Sequence, residues 1–144
     1  MSSIKLSVTH RGRLRKKYGV SGLAAIDQAV ASWIAADAAR GFTTLHLALD
    51  DAAALKPYGV AALKGAVTAQ KVKKALDALV ARLTPDYLVL FGSGEILPHF
   101  IVDNPSHQAT GDTDLKVPTD NPYACSRPYQ FRYWQFYPPI CYPL

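Results

Sequence analysis

The chain has 144 residues, 49% of them hydrophobic and 19% charged, which suits one ordinary domain with a single core and excludes disorder along its whole length. Its formal charge of +5 is polarised: Lys5, Arg11, Arg13, Arg15, Lys16 and Lys17 put +6 in the first twenty residues, whereas residues 86 to 120 carry −5. No run approaches the roughly 18 consecutive apolar residues of a bilayer span, and Met1 to Leu6 alternates polar with apolar where a leader would be continuously apolar, so a soluble cytoplasmic protein without membrane association is expected.

Ile4, Leu6 and Val8 alternate with Lys5, Ser7 and Thr9, which predicts a first strand over 3–9 with one face buried. His10 to Tyr18 has no apolar periodicity and reads as a basic loop ending at Gly19. Leu23, Ile26, Val30, Trp33 and Ile34 then recur at three-and-four spacing, predicting a helix over 22–40 with Ser21 as N-cap and Gly41 as its stop. Period two returns over Phe42 to Leu49 as a second strand, with His46 as a half-buried strand residue. Asp50-Asp51 opens a short Ala-rich helix broken at Pro57 and Gly59. Ala69, Val72, Leu76, Leu79, Val80 and Leu83 form an apolar stripe over a helix at 69–84, capped by Thr68 and stopped by Pro85, with Lys71, Lys73, Lys74, Asp77 and Arg82 on a solvated face.

Tyr87 to Phe91 is continuously apolar, the pattern of a strand buried on both faces, and is expected in the middle of the sheet. The order strand, helix, strand, helix, strand predicts an α/β domain: a three-layer parallel sheet with helices on both faces. Beyond Pro98, His99 to Val102 suggests a short strand before the turn Asp103-Asn104-Pro105. Residues 122 to 144 hold five of the ten prolines and five of the eight tyrosines, and no periodicity survives there.

Several patterns carry residue types found at sites of chemistry. Gly92-Ser93-Gly94-Glu95 lacks the third glycine and the helix of a phosphate cradle, and no glycine-rich turn follows the first strand, so no nucleotide cofactor is expected. His99, Asp103 and His107 straddle a turn, and Asp112-Thr113-Asp114 lacks the glycine and distal glutamate of a calcium loop, so no metal is expected. The two cysteines, Cys125 and Cys141, form neither a disulfide framework nor a metal knuckle and read as reduced thiols. A dyad of Cys125 with His10 lacks any sequence feature that would lower the thiol pKa. The basic run of residues 11–17 reads as solvated, and nucleic acid is not an expected partner.

Val8-Thr9-His10, Leu14 to Gly19, Ile34 to Gly41, Leu49-Asp50-Asp51, Pro85 to Gly92, Ile96 to His99 and Asp120 to Cys125 occur in the order and spacing of the N-terminal part of gingipain-type cysteine peptidases, a family with the caspase-like fold that this chain resembles over about residues 4 to 128. The resemblance implies an incomplete caspase-like or Rossmann-like sheet over 1–128, followed by a Pro/Tyr-rich irregular tail over 129–144. In that family the catalytic His and Cys lie on loops after this region. No residue here matches them, so the resemblance implies no catalytic residue and a chain inactive alone. Beyond Tyr129 relatives proceed into a strand with a Gly-Arg-(Leu or Ile)-Pro element that this sequence lacks, as a truncated or frame-shifted copy would. An incomplete sheet implies an open edge and self-association through it. The alternative is a non-catalytic Rossmann-like module binding where loops from His10, Asp50 and Gly92 converge; a nucleic-acid-binding protein using residues 11–17 ranks third.

Overall fold

A computed structural model describes residues 3–104, 106–107 and 111–125, which fall in two compact units, Met1–Pro98 and His99–Leu144. The tail at 129–144 lies outside the described residues. In the first unit β1 (Ser3–Thr9), α1 (Arg11–Ala39), β2 (Phe42–Ala48), α2 (Ala52–Leu55), a 3₁₀ turn at Lys56–Tyr58, α3 (Ala69–Leu83) and β3 (Tyr87–Leu90) build a three-stranded parallel sheet of order β2-β1-β3, flanked by helices. The α/β class is as expected. The crossover from β1 to β2 and the one from β2 to β3 run in opposite directions along the sheet, so right-handed connections put α1 and α3 on opposite faces.

The middle of the sheet is β1, not the apolar segment at 87–91. Leu6 and Val8 are fully buried, and so are Ser7 and Thr9 on the other face, so the expectation of one solvated face fails. Burial of those polar residues is tolerable because each has a specific partner. Ser7 Oγ lies 2.9 Å from His46 Nδ1, Thr9 Oγ1 donates to the Phe91 carbonyl at 2.8 Å, and Lys5 Nζ donates to Asp37 at 2.6 Å. By contrast β3 sits at an edge: Leu88, Val89 and Leu90 are half-buried and Tyr87 is exposed.

Asp37, near the C-terminal end of α1, is wholly buried against the polar face of the sheet. Its carboxylate accepts from Lys5, from Thr44 Oγ1 at 2.7 Å and from Arg40 Nη2 at 2.5 Å. The Lys5 bond foremost, then that of Thr44, holds its pKa at about 2. An unfolded aspartate titrates at about 3.9. The native carboxylate therefore contributes stability that is complete above that value and lost as the pH falls through about 2. Denaturant melts at stepped pH are expected to show this acid-side decline in the wild type and a shallower one in Asp37→Asn; equal slopes would remove Asp37 from the account.

The basic segment is helical rather than a loop. α1 starts at Arg11 with His10, not Ser21, as its N-cap, and only Gly19, with φ 71° and ψ −174°, interrupts the helical backbone. Leu14 alone of the first turns is buried, which is why no periodicity marked them. Gly41, at φ 84°, ends the helix as expected. α1 is also long enough to cross a membrane, with an 18-residue window of mean hydropathy 1.2, of which 11% is buried in the protein. α3 begins at its Thr68 cap and buries Val72, Leu76 and Leu79, as its stripe predicts. Lys73 departs from the solvated face, because its side chain is only 12% exposed and pairs with Asp77.

In the second unit β4 (Phe100–Asp103) pairs antiparallel with β5 (Lys116–Thr119), and α4 (Asn121–Ala124) follows. β5 was not expected, since Pro118 argues against a strand; in a two-stranded ribbon its missing N–H can face outward. Phe100 and Val102 are buried, Phe100 meets Tyr123 edge-on at 5.3 Å, and burial pushes the Tyr123 hydroxyl up to about 12.

Candidate functional site at the carboxyl edge of the sheet

Parallel strands deliver their following loops to one edge, and here those after β1, β2 and β3 are tied together. Leu49 N–H donates to the Thr9 carbonyl at 2.7 Å and Phe91 N–H to the Val8 carbonyl at 2.8 Å. The backbone N–H groups of Arg11 and Gly12, the free donors at the start of α1, donate to the two oxygens of Asp50 at 2.8 and 2.7 Å. Arg13 N–H donates to His10 Nδ1 at 3.3 Å, and that nitrogen also lies 3.3 Å from Asp50 Oδ2. The cap bond requires the tautomer with its proton on Nε2, whereas a proton on Nδ1 would exchange the cap for a contact with Asp50. Gly12 permits this closeness, since a Cβ there would stand 3.1 Å from Asp50 Oδ2. The place where an anionic ligand would meet the helix start is thus filled by the protein's own carboxylate.

The third loop is held by side chains of α1. Arg13 Nη1 donates to the Glu95 carbonyl at 3.0 Å, and Lys17 pairs with the Glu95 carboxylate and reaches Ser93 Oγ at 3.4 Å. The Lys17 bond lowers the Glu95 pKa and raises that of Lys17. The loop is a turn in which Ile96 and Leu97 N–H groups donate to the Ser93 carbonyl. On the other side of α1, Arg11 binds Asp27 through both nitrogens at 2.6 and 2.5 Å, a forked pair that lowers the Asp27 pKa. The bend at Gly19 opens a cleft of about 750 Å³ between α1 and the start of α2, lined by Arg11, Arg15, Val20, Leu23, Asp27 and Asp51 among others. Carboxylates and guanidiniums meet there without a cysteine, serine or histidine in the lining.

The structure therefore brings together His10, Asp50 and the Gly92 loop, as the alternative reading expected, and adds Arg11, Arg13, Lys17, Asp27 and Glu95. The sequence signals missed were Gly12, three residues past a strand end, and the opposite charges of Lys17 and Glu95. The other residues weighed as chemistry take different roles. His46 is half-buried as expected, its ring edge-on to Phe91 at 5.1 Å, and desolvation lowers its pKa. Asp103 pairs with Lys116, and His107 Nδ1 lies 2.9 Å from the Asp112 carbonyl. Asp112 accepts from Asp114 N–H and Asn104 Nδ2, both at 2.9 Å, the Asp114 bond foremost in lowering its pKa. Among the described residues no three His, Cys, Asp or Glu side chains converge as metal ligands. Cys125 is disulfide-bonded, which corrects the expectation of a reduced thiol; Cys141 lies outside the described residues.

Comparison of the chain with family models, curated proteins and solved structures returned no match.

Of the five cations in residues 11–17, Arg11 and Lys17 are ion-paired and Arg13 donates to backbone carbonyls, leaving Arg13, Arg15 and Lys16 without an ion pair among the described residues. Three available charges predict that any retention on heparin falls with salt at a log–log slope of about −3, against about −4 to −5 if all five neutralised phosphates. Stepwise salt elution measures the slope, and the steeper value would revive the nucleic-acid reading.

Proposed function

We propose that this chain is the N-terminal portion of a gingipain-type cysteine peptidase with a caspase-like sheet, using no cofactor and inactive alone because none of its residues matches the catalytic His and Cys. The observation that carries this reading is the mismatch at β3. Tyr87 to Phe91 has the unbroken apolar run of a central strand, yet among the described residues no strand pairs with its outer side. A strand composed for the middle of a sheet and standing at its edge is what results when neighbouring strands belong to sequence beyond it. The order β1-α1-β2-α3-β3 and the ordered series of family-like segments point the same way.

The full chain should not hydrolyse Arg-, Lys- or Asp-terminated reporter peptides, because thiolate attack needs a free thiol beside a base and Cys125 is disulfide-bonded. Turnover that vanishes in Cys125→Ala would sink the proposal. The convergence of the His10, Asp50 and Gly92 loops favours a second reading, a non-catalytic module binding small ligands at the carboxyl edge. Because Asp50 satisfies the Arg11 and Gly12 amides, that reading favours a ligand with a cationic group over a phosphate. Calorimetric titration with arginine and with inorganic phosphate separates the two.

A further inference from the structure

The outer edge of β2 is complementary to itself. In the ladder that continues into the Leu49 N–H bond to Thr9, alternate residues face β1, so the main-chain groups of Phe42, Thr44 and His46 point away from the sheet. The Ala48 carbonyl accepts from Asp51 N–H, and among the described residues no strand pairs with this edge. Phe42 to Leu49 contains no charged residue and no proline, the usual protections of a free edge. In sequence the nearest charges stand at its two ends, Arg40 before it and Asp50-Asp51 after it, while in space Asp37 meets Thr44 and Lys5 lies over the Phe42 ring.

We propose that two copies of this chain associate by antiparallel pairing of β2 with β2 of the second copy, forming a six-stranded sheet. A two-fold axis perpendicular to the sheet keeps each helix-covered face on its own side, so residues of like parity must oppose one another. The longest such overlap of Phe42–Ala48 with itself centres on Leu45. It sets Thr44 opposite His46 of the second copy, where both residues present outward main-chain groups, and Phe42 opposite Ala48 of the second copy. The same register brings Arg40, 62% exposed and paired with Asp37 of its own copy, toward the Asp50-Asp51 end of the second copy, where opposite charges attract although each already has a partner. A second copy is thus the occupant that completes the main-chain pairing while keeping the two faces aligned. The inference concerns β2 and does not depend on the peptidase reading, which concerns β3.

Sedimentation velocity of the full chain across a wide concentration range is expected to show a reversible monomer–dimer equilibrium. Leu45 lies opposite its own copy in a pair without main-chain hydrogen bonds, with Cα atoms about 4.5 Å apart. Leu45→Cys should therefore convert to a covalent dimer under mild oxidation, read on a non-reducing gel. Thr43→Cys, about 13 Å from its own copy at roughly 3.3 Å per residue, should not. A monomer at every concentration would overturn the proposal, as would a dimer that cross-links through Val89→Cys on β3 or through none of these positions. The wild-type sedimentation result stands even where a variant folds poorly.

Discussion

Gly92→Ala is expected to lower the stability of the fold by about 2 to 6 kcal/mol. Gly92 has φ 128°, a conformation that costs an L residue on the order of 1 to 3 kcal/mol. A Cβ there would also stand 2.7 Å from Ile96 Cβ, 2.9 Å from its Cγ2 and 3.0 Å from its Cγ1. The atom struck first is attached directly to the backbone of a residue 1% exposed, so no rotamer change relieves it and overpacking adds about 1 to 3 kcal/mol. Gly19→Ala is the matched control. It too has positive φ, 71° with ψ −174°, but its Cβ would meet nothing within 4 Å, so only a backbone term of about 1 to 3 kcal/mol applies, without the packing term. Urea melts that place the two variants together would show that the Gly92 turn is not packed against Ile96.

Leu76→Ala is the second large effect, about 2 to 5 kcal/mol, as for other buried leucines cut to alanine. Leu76 has no exposed surface and stands between Val72 and Leu79, equally buried, on the stripe of α3. Lys74→Ala, on the exposed side of the same helix, should change stability by less than about 0.5 kcal/mol. Similar midpoints for the two variants would mean that α3 presents a different face to the sheet.

How much of this was legible in the sequence depended on the range of the interactions involved. α3 was readable to within one residue because its apolar stripe and Thr68 cap are local, and β2 because Leu45, Leu47 and Leu49 alternate. The centre of the sheet was misplaced because period two cannot tell solvent from a buried polar partner. Ser7, Thr9 and Lys5 look solvated until His46, the Phe91 carbonyl and Asp37 are seen beside them, 39, 82 and 32 residues away. The first turns of α1 were hidden for a related reason. They are held by Asp50, Asp27 and Glu95 across the fold rather than by an apolar face, so a helix there resembles a basic loop. The candidate site was legible as a meeting of three loops, since parallel topology requires it, but not as a set of ion pairs.

The same reasoning bears on β3, where composition and position disagree and the disagreement is the basis of the functional reading. The loops at the carboxyl edge are closed by Asp50 and Glu95 rather than arranged around a nucleophile.

The most direct test is to read the genomic sequence that follows the codon for residue 128 in all three frames. The account predicts that another frame continues into the strand with the Gly-Arg-(Leu or Ile)-Pro element and then encodes a His and a Cys on successive post-strand loops, supplying an outer neighbour for β3, which has none among the described residues. Frames that contain no such continuation would contradict it, and β3 would then have to be read as the finished edge of a small α/β domain.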